Sequence, residues 1–164
     1  MSPLPPVVVM GVSGSGKSTI GAALALALSA PFVDADALHP EANRLKMAAG
    51  IPLDDADRAP WLDTVAAQLV GEPVVVACSA LKRAYRDRLR EAAPELALVF
   101  LDATADQLAP RLVSRAHEYM PASLLDSQLA TLEPPTDDEH PIRLDVSRPV
   151  DELVAVAVAR LEQK

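Results

Sequence analysis

Residues 11–18 read GVSGSGKS, which fits the pattern G-x-x-x-x-G-K-[ST] at every fixed position. Gly11, Gly14 and Gly16, interleaved with Ser13 and Ser15, let the chain curl so that backbone N–H groups converge on phosphate oxygens. Lys17 is then placed to reach the β- and γ-phosphates of ATP, and the Ser18 hydroxyl to ligate Mg²⁺. A helix starting at this point adds the partial positive charge of its N-terminus.

The flanks supply the context the motif needs. VVVM (7–10) is a short apolar run suited to a buried parallel strand, and TIGAALALALSA (19–30) is a helix former that Pro31 ends. The apolar stretch after Lys17 resembles the hydrophobic region of a secretory signal, but no Lys or Arg precedes Lys17 and a complete phosphate loop occupies the place of a basic leader.

The chain has 164 residues, half of them apolar, which suits one domain (1–164) around one core. No apolar run approaches the roughly 20 residues that span a bilayer, so a soluble protein without a membrane partner is expected. A formal charge of −8 and an aromatic content of 3% argue against nucleic acid as a partner, since they offer neither a basic surface nor a stacking platform. Cys78 is the single cysteine, which excludes a disulfide framework and suits a reducing cytoplasm.

Apolar runs alternate with helical patterns along the whole length. Strands are expected at 7–10, 31–36, 74–80, 96–103 and 142–146, with helices at 19–30, 40–49, 61–70, 81–93 and 150–163. Residues 51–61 read as a polar loop. In 104–116, Thr104 is a plausible N-cap, and Pro110 is expected to kink the helix or delay its start. TDDEH (136–140) reads as an acidic linker. Five such alternations define an α/β class with a five-stranded parallel sheet flanked by helices.

Ligands of such sheets bind outside the carboxyl ends of the strands, which places Asp34, Asp36, Ser79, Asp102 and the phosphate loop on one rim. Asp34 and Asp36 could be mere turn residues, but beside the loop they are expected to diverge at the strand end, one toward Mg²⁺ and the other toward a second ligand. A carboxylate there can orient an attacking hydroxyl and accept its proton, the part assigned to Asp36. The helix beginning near Pro40 puts Asn43, Lys46 and Met47 on one face, and Ala42, Leu45 and Ala49 on an apolar one. For several residues a plain reading stands beside the functional one: His39 as a structural histidine, Arg44 and Lys46 as a solvated face, Arg58 paired with Asp54, Asp55 or Asp57, Lys82 as helix surface. Trp61 reads as packing and Cys78 as a small buried hydrophobe. Arg111 and Arg115 are four apart and can line one side of a helix, either toward the transferring phosphate or as surface charge.

At this point GVSGSGKST, VDADALHP with EANRLKMAAGIPLDDADRAPWL, CSALKRAYRDRLR and SLLDSQLATLEPP together resemble the bacterial-type gluconokinases, small P-loop enzymes related to shikimate and adenylate kinases. The resemblance covers residues 8–135 nearly continuously. It implies a three-layer P-loop kinase fold with a helical lid (about 111–132), an acceptor-binding segment (about 36–62), and transfer of phosphate from ATP to the 6-hydroxyl of D-gluconate. Carried over by position, it implies that Gly14, Gly16, Lys17, Ser18 and Thr19 hold ATP and Mg²⁺, with Asp34 in the outer metal shell and Asp36 as base. It further implies that His39, Arg44, Arg58, Ser79 and Lys82 bind the acceptor, that Arg111 and Pro149 enclose adenine, and that Arg115 is a lid arginine. The lid departs from the family's Gly-His-Phe-Met: here Ala116-His117-Glu118-Tyr119-Met120 puts the histidine one place early. Members are frequently dimeric, but no stretch of this sequence fixes an interface. A guanine-nucleotide switch would need N-K-x-D and D-x-x-G elements, and the sequence has neither.

Overall fold

The computed structural model describes residues 3–114 and 123–164. Five strands, β1 (Val7–Met10), β2 (Phe32–Asp34), β3 (Val75–Ala77), β4 (Ala97–Asp102) and β5 (Ile142–Asp145), form one sheet in the order β2-β3-β1-β4-β5. Every pairing is parallel, with Val7 opposite both Val75 and Ala97, and Val99 opposite Ile142. β1 sits in the middle and is buried along its whole length, which is why its four residues are uniformly apolar.

Side chains alternate across that sheet and build two cores. Val8, Met10, Val76, Leu98 and Phe100 face one layer, packed with Trp61, Val65, Tyr85 and Leu89 from α3 (Asp55–Gln68) and α4 (Arg83–Ala92). Val7, Val9, Val75 and Val99 face the other, against α1 (Lys17–Leu28) and α7 (Val150–Glu162) through Ile20, Leu24, Leu153, Ala157 and Leu161. Truncating a fully buried member such as Leu24 to alanine is expected to cost about 2–5 kcal/mol. The three remaining helices, α2 (Glu41–Ala48), α5 (Ala105–Ser114) and α6 (Ser123–Thr131), lie in the connections that follow β2 and β4. Among the described residues, no helix is long and apolar enough to cross a membrane.

Four local expectations are corrected. The loop read at 51–61 ends early, because α3 begins at Asp55 behind a capping box: Asp54 accepts from the Asp57 N–H at 2.7 Å, and the Asp57 carboxylate accepts from the Asp54 N–H at 3.0 Å. Two satisfied N-terminal amides nucleate the helix a full turn and a half before Trp61, and Pro60 is carried inside it. Of the two effects expected of Pro110, the delay does not occur: α5 starts at Ala105 with Pro110 inside it, and Thr104, as read, caps it reciprocally with Gln107 at 3.2 and 2.8 Å. On α2 the buried residues are Asn43 and Met47, whereas Leu45 on the face read as apolar is 65% exposed.

The fourth correction concerns TDDEH. Glu139 is buried there, at the end of a 3₁₀ turn over Asp137–Glu139 that Thr136 caps. Its carboxylate accepts from Arg86 Nε at 2.8 Å and from Arg90 at 2.6 Å, and Arg86 passes on to the Ala80 carbonyl at 2.9 Å. Ala80 has φ +45°, a left-handed conformation that is strained in a residue with a Cβ. The buried pair therefore fixes the turn between Ser79 and Lys82, two of the residues assigned to the acceptor.

Candidate active site

All five strands end on one rim, so the segments following β1, β2 and β3 meet there. After β1 the chain turns through Gly14 (φ +82°) and Gly16 (φ +100°), conformations that glycine adopts without a steric penalty. Gly16 is the N-cap of α1, and no side chain caps that end. The first amides of a twelve-residue helix thus have no internal side-chain partner, which is the donor set a phosphate requires. Lys17 is buried and donates from Nζ to the Val12 carbonyl at 3.1 Å, so its ammonium folds back onto the loop it belongs to.

Ser18, exposed in the first turn of α1, donates from Oγ to Asp34 Oδ2 at 2.7 Å. Asp34 Oδ1 accepts from the Asp36 N–H at 3.0 Å, and this bond caps a 3₁₀ turn over Ala35–Leu38. Asp34 and Asp36 do have different neighbours, but strand alternation is not the cause, because residues two apart on a strand share a face. The chain leaves the strand at Asp34, and the turn carries Asp36 into a cleft beside Lys17. Burial, together with the Asp34 charge, pushes the Asp36 carboxyl up against the opposing pull of Lys17.

That cleft is lined by Ser13, Lys17, Asp36, His39, Arg58 and Ser79, with Trp61, Met47, Ser127 and Gln128 closing it. His39 is buried against Trp61, with ring centroids 4.3 Å apart and planes 12° from parallel. Trp61 is itself fixed by a 2.7 Å bond from Nε1 to the Ala35 carbonyl, so it packs and also holds the histidine. Burial and the nearby Arg58 and Arg44 charges lower the His39 pKa to about 4, which keeps the ring neutral at physiological pH.

Arg58 does not pair with Asp54, Asp55 or Asp57. Its Nη1 donates to the Tyr85 hydroxyl at 3.0 Å and its guanidinium lies 5.4 Å from that ring's centroid. The Tyr85 hydroxyl donates to Asp55, which also takes Lys82 Nζ at 3.3 Å. Bonds from Tyr85 and Lys82 hold the Asp55 carboxyl below its usual range. Lys82, outside the cleft lining, is thus linked through Asp55 and Tyr85 to Arg58, which lines it. Arg44 lies elsewhere, bonding the Ala37 carbonyl and lining an adjoining groove that shares Asp36 and His39 with the cleft. Lys46 is bound to Asp57 at 2.9 Å. Thr19 is exposed next to Ser18, Asp102 is exposed at the end of β4, Gly11 is buried at the end of β1, and Ser15 is buried inside the loop. Pro149 is the exposed N-cap of α7, apart from the cleft. Cys78 is fully buried and burial pushes its thiol up to about 12, which leaves it inert. Arg111 falls on α5, but its side chain, Arg115 and the altered lid stretch 116–120 lie outside the described residues.

Gln128 in the cleft and Tyr85 behind Arg58 are residues the sequence did not single out. Gln128 on α6 takes the Ser13 N–H on Oε1 at 2.7 Å, bridging 115 residues, and Tyr85 holds Arg58. The block SLLDSQLATLEPP contained the first, and the second stands one helical turn after Lys82.

The parallel sheet, the glycine loop opening α1 and the carboxylate beside Lys17 define a P-loop kinase. The model of the AAA domain family matches residues 7–135. A gluconokinase from Gluconobacter oxydans (strain 621H) is 52% identical over 143 residues, 84% of this chain and 80% of that protein. The thermosensitive gluconokinase of Escherichia coli (strain K12) is 42% identical over 149 residues, 87% and 80% of the two chains. The crystal structure of a gluconokinase from Sinorhizobium meliloti 1021 superimposes with a TM-score of 0.91 at 50% identity, covering 99% of this chain and 94% of that one. The chain belongs to the gluconokinase family, within the ATP-utilising P-loop kinases.

Proposed function

We propose that the chain is an ATP:D-gluconate 6-phosphotransferase working in the cytoplasm, with gluconate held between Asp36 and the Arg58–Tyr85–Lys82 cluster. The observation that carries the reading is the meeting of a half-buried carboxylate, Asp36, with the loop lysine, Lys17, in a cleft whose other walls bear a neutral imidazole and a guanidinium. An aldonic acid needs those partners: a base for one hydroxyl, neutral donors for the rest and a cation for its carboxylate.

Asp36 accepts the proton of the 6-hydroxyl as the new O–P bond forms to the γ-phosphorus, and the β–γ bridging bond breaks to release ADP. Its upward-shifted pKa, raised chiefly by burial, makes it a stronger base than an exposed carboxylate. Lys17 exchanges the Val12 carbonyl for phosphate oxygens, and the α1 amides take further charge. Ser18, backed by Asp34, is the pair that would hold Mg²⁺; the ion, when bound, neutralises charge on the β- and γ-oxygens. Gly11, Ser13, Gly14, Ser15, Gly16 and Thr19 complete the phosphate loop, Arg111 and Pro149 flank adenine, and Arg115 closes over the phosphate from the lid.

The test is ATP turnover across D-gluconate, other aldonic acids and shikimate. Selective turnover of gluconate supports the reading. Equal rates on shikimate and gluconate contradict it.

A further inference from the structure

Asn43 is 3% exposed and places one nitrogen, Nδ2, between two partners: the Asp57 carbonyl at 2.9 Å and His39 Nδ1 at 3.1 Å. A backbone carbonyl can only accept, so the atom facing it must be the amide nitrogen and the orientation of the carboxamide is settled. The second hydrogen of the same NH₂ is then directed at His39 Nδ1, which must accept it. A neutral imidazole that accepts at Nδ1 carries its proton on Nε2. His39 lines the cleft, and among the described residues no hydrogen bond engages Nε2.

The arrangement follows from local structure. His39 ends the 3₁₀ turn and Asn43 stands four residues on, in the first turn of α2, with Asp57 in the first turn of α3. Trp61, four residues after Asp57, covers the face of the ring. The imidazole is thus held by one edge and one face.

We propose that Asn43 is a positioning residue that locks His39 as a neutral Nε2–H donor, so that this wall of the cleft gives a hydrogen bond to an oxygen of the polyhydroxy acid. The proposal rests on the reading of the cleft as the acceptor site. Its consequence is chemical: His39 cannot take the proton of the attacking hydroxyl, which leaves Asp36 as the cleft's base, and the site disfavours an acceptor that presents only hydrogen-bond donors there. Burial and the Arg58 and Arg44 charges oppose protonation of the ring, and they prevail although Asp36, a carboxylate that would favour it, shares the cleft.

A long-range ¹H–¹⁵N spectrum of the labelled full chain without substrate reads the tautomer, with His39 assigned by the signals lost in His39→Gln. The expected result is the Nε2–H pattern at pH 7, with no conversion to imidazolium down to about pH 5. In Asn43→Leu the pattern should become a tautomer mixture, and KM for gluconate should rise about tenfold, the size of one lost hydrogen bond. His39→Gln, whose amide can still donate, should retain more activity than His39→Leu. An Nδ1–H or charged ring in the native protein overturns the proposal even in an active gluconate kinase, and that spectrum decides should Asn43→Leu fail to fold. An Nε2–H ring in a chain that ignores gluconate would overturn the acceptor role and leave the tautomer standing.

Discussion

The Ser18 hydroxyl donates to Asp34 Oδ2 at 2.7 Å, tying the first turn of α1 to the end of β2 across 16 residues. A serine that ligates Mg²⁺ needs its hydroxyl hydrogen directed away from the metal, and Asp34 takes that hydrogen. Asp34→Asn is therefore expected to raise the Mg²⁺ concentration for half-maximal activity by about 10–100-fold, the usual effect of losing an outer-shell partner. A magnesium titration of turnover at saturating ATP measures it; an unchanged midpoint would detach Asp34 from the metal.

Asp36→Asn should lower kcat by about 10²–10⁴-fold, the contribution of a general base, with ATP affinity kept. Native turnover should fall as pH drops through the Asp36 pKa, which lies above the ordinary carboxylate value of 3.8 because of burial. A pH–rate profile measures this, and near-native activity in Asp36→Asn would remove it as the base.

The two arginines beside His39 should separate in kinetics. Arg58 lines the cleft with Lys17 and Asp36, whereas Arg44 lines the adjoining groove. Arg58→Met is expected to raise KM for gluconate about 10–100-fold, as for a lost charged hydrogen bond, with little change in ATP binding. Arg44→Met should have the smaller effect. The opposite ranking would move the gluconate carboxylate into the groove.

Stability at low pH should follow the Glu139 pair. Burial works against the Glu139 carboxylate, but bonds from Arg86 and Arg90 outweigh it and bring the pKa down from 4.5 to about 2. A depressed folded pKa gives stability that is complete above 4.5 and is lost as pH falls from there toward 2. His39 acts in the same direction over a different window: its folded pKa of about 4 lies below the ordinary 6.5, so stability also declines between those values as pH falls. Arg86→Met should cost about 3–5 kcal/mol in denaturant unfolding, because Glu139 would stay buried with one cation fewer. Arg86→Met with Glu139→Gln should recover part of that loss and flatten the pH dependence below 4.5.

The phosphate loop was readable because its chemistry is contiguous: the amides, Lys17 and Ser18 fall within eight residues, and the strand and helix that frame them are adjacent in sequence. The sheet was readable because buried parallel strands are uninterrupted apolar runs. The site's second half was less so, since its partners are distant in the chain. Arg58 finds Tyr85, 27 residues away, in place of the three aspartates beside it. Glu139 looked like linker until Arg86, 53 residues earlier, drew it inside. Pro60 concealed the start of α3, although the Asp54 and Asp57 spacing was itself a capping signal. On α2 composition misled, since the inward face carries Asn43, bonded to His39, with Met47 buried beside it, and the leucine faces outward.

The most direct test of the central claim is product identity: formation of 6-phospho-D-gluconate by the purified chain with ATP, Mg²⁺ and D-gluconate, followed by coupled oxidation of the product, with Asp36→Asn alongside. The expected result is stoichiometric 6-phosphogluconate from the native chain and a rate at least about 10²-fold lower from the variant. ATP binding without phosphorylated gluconate, or phosphate on another hydroxyl, would contradict it.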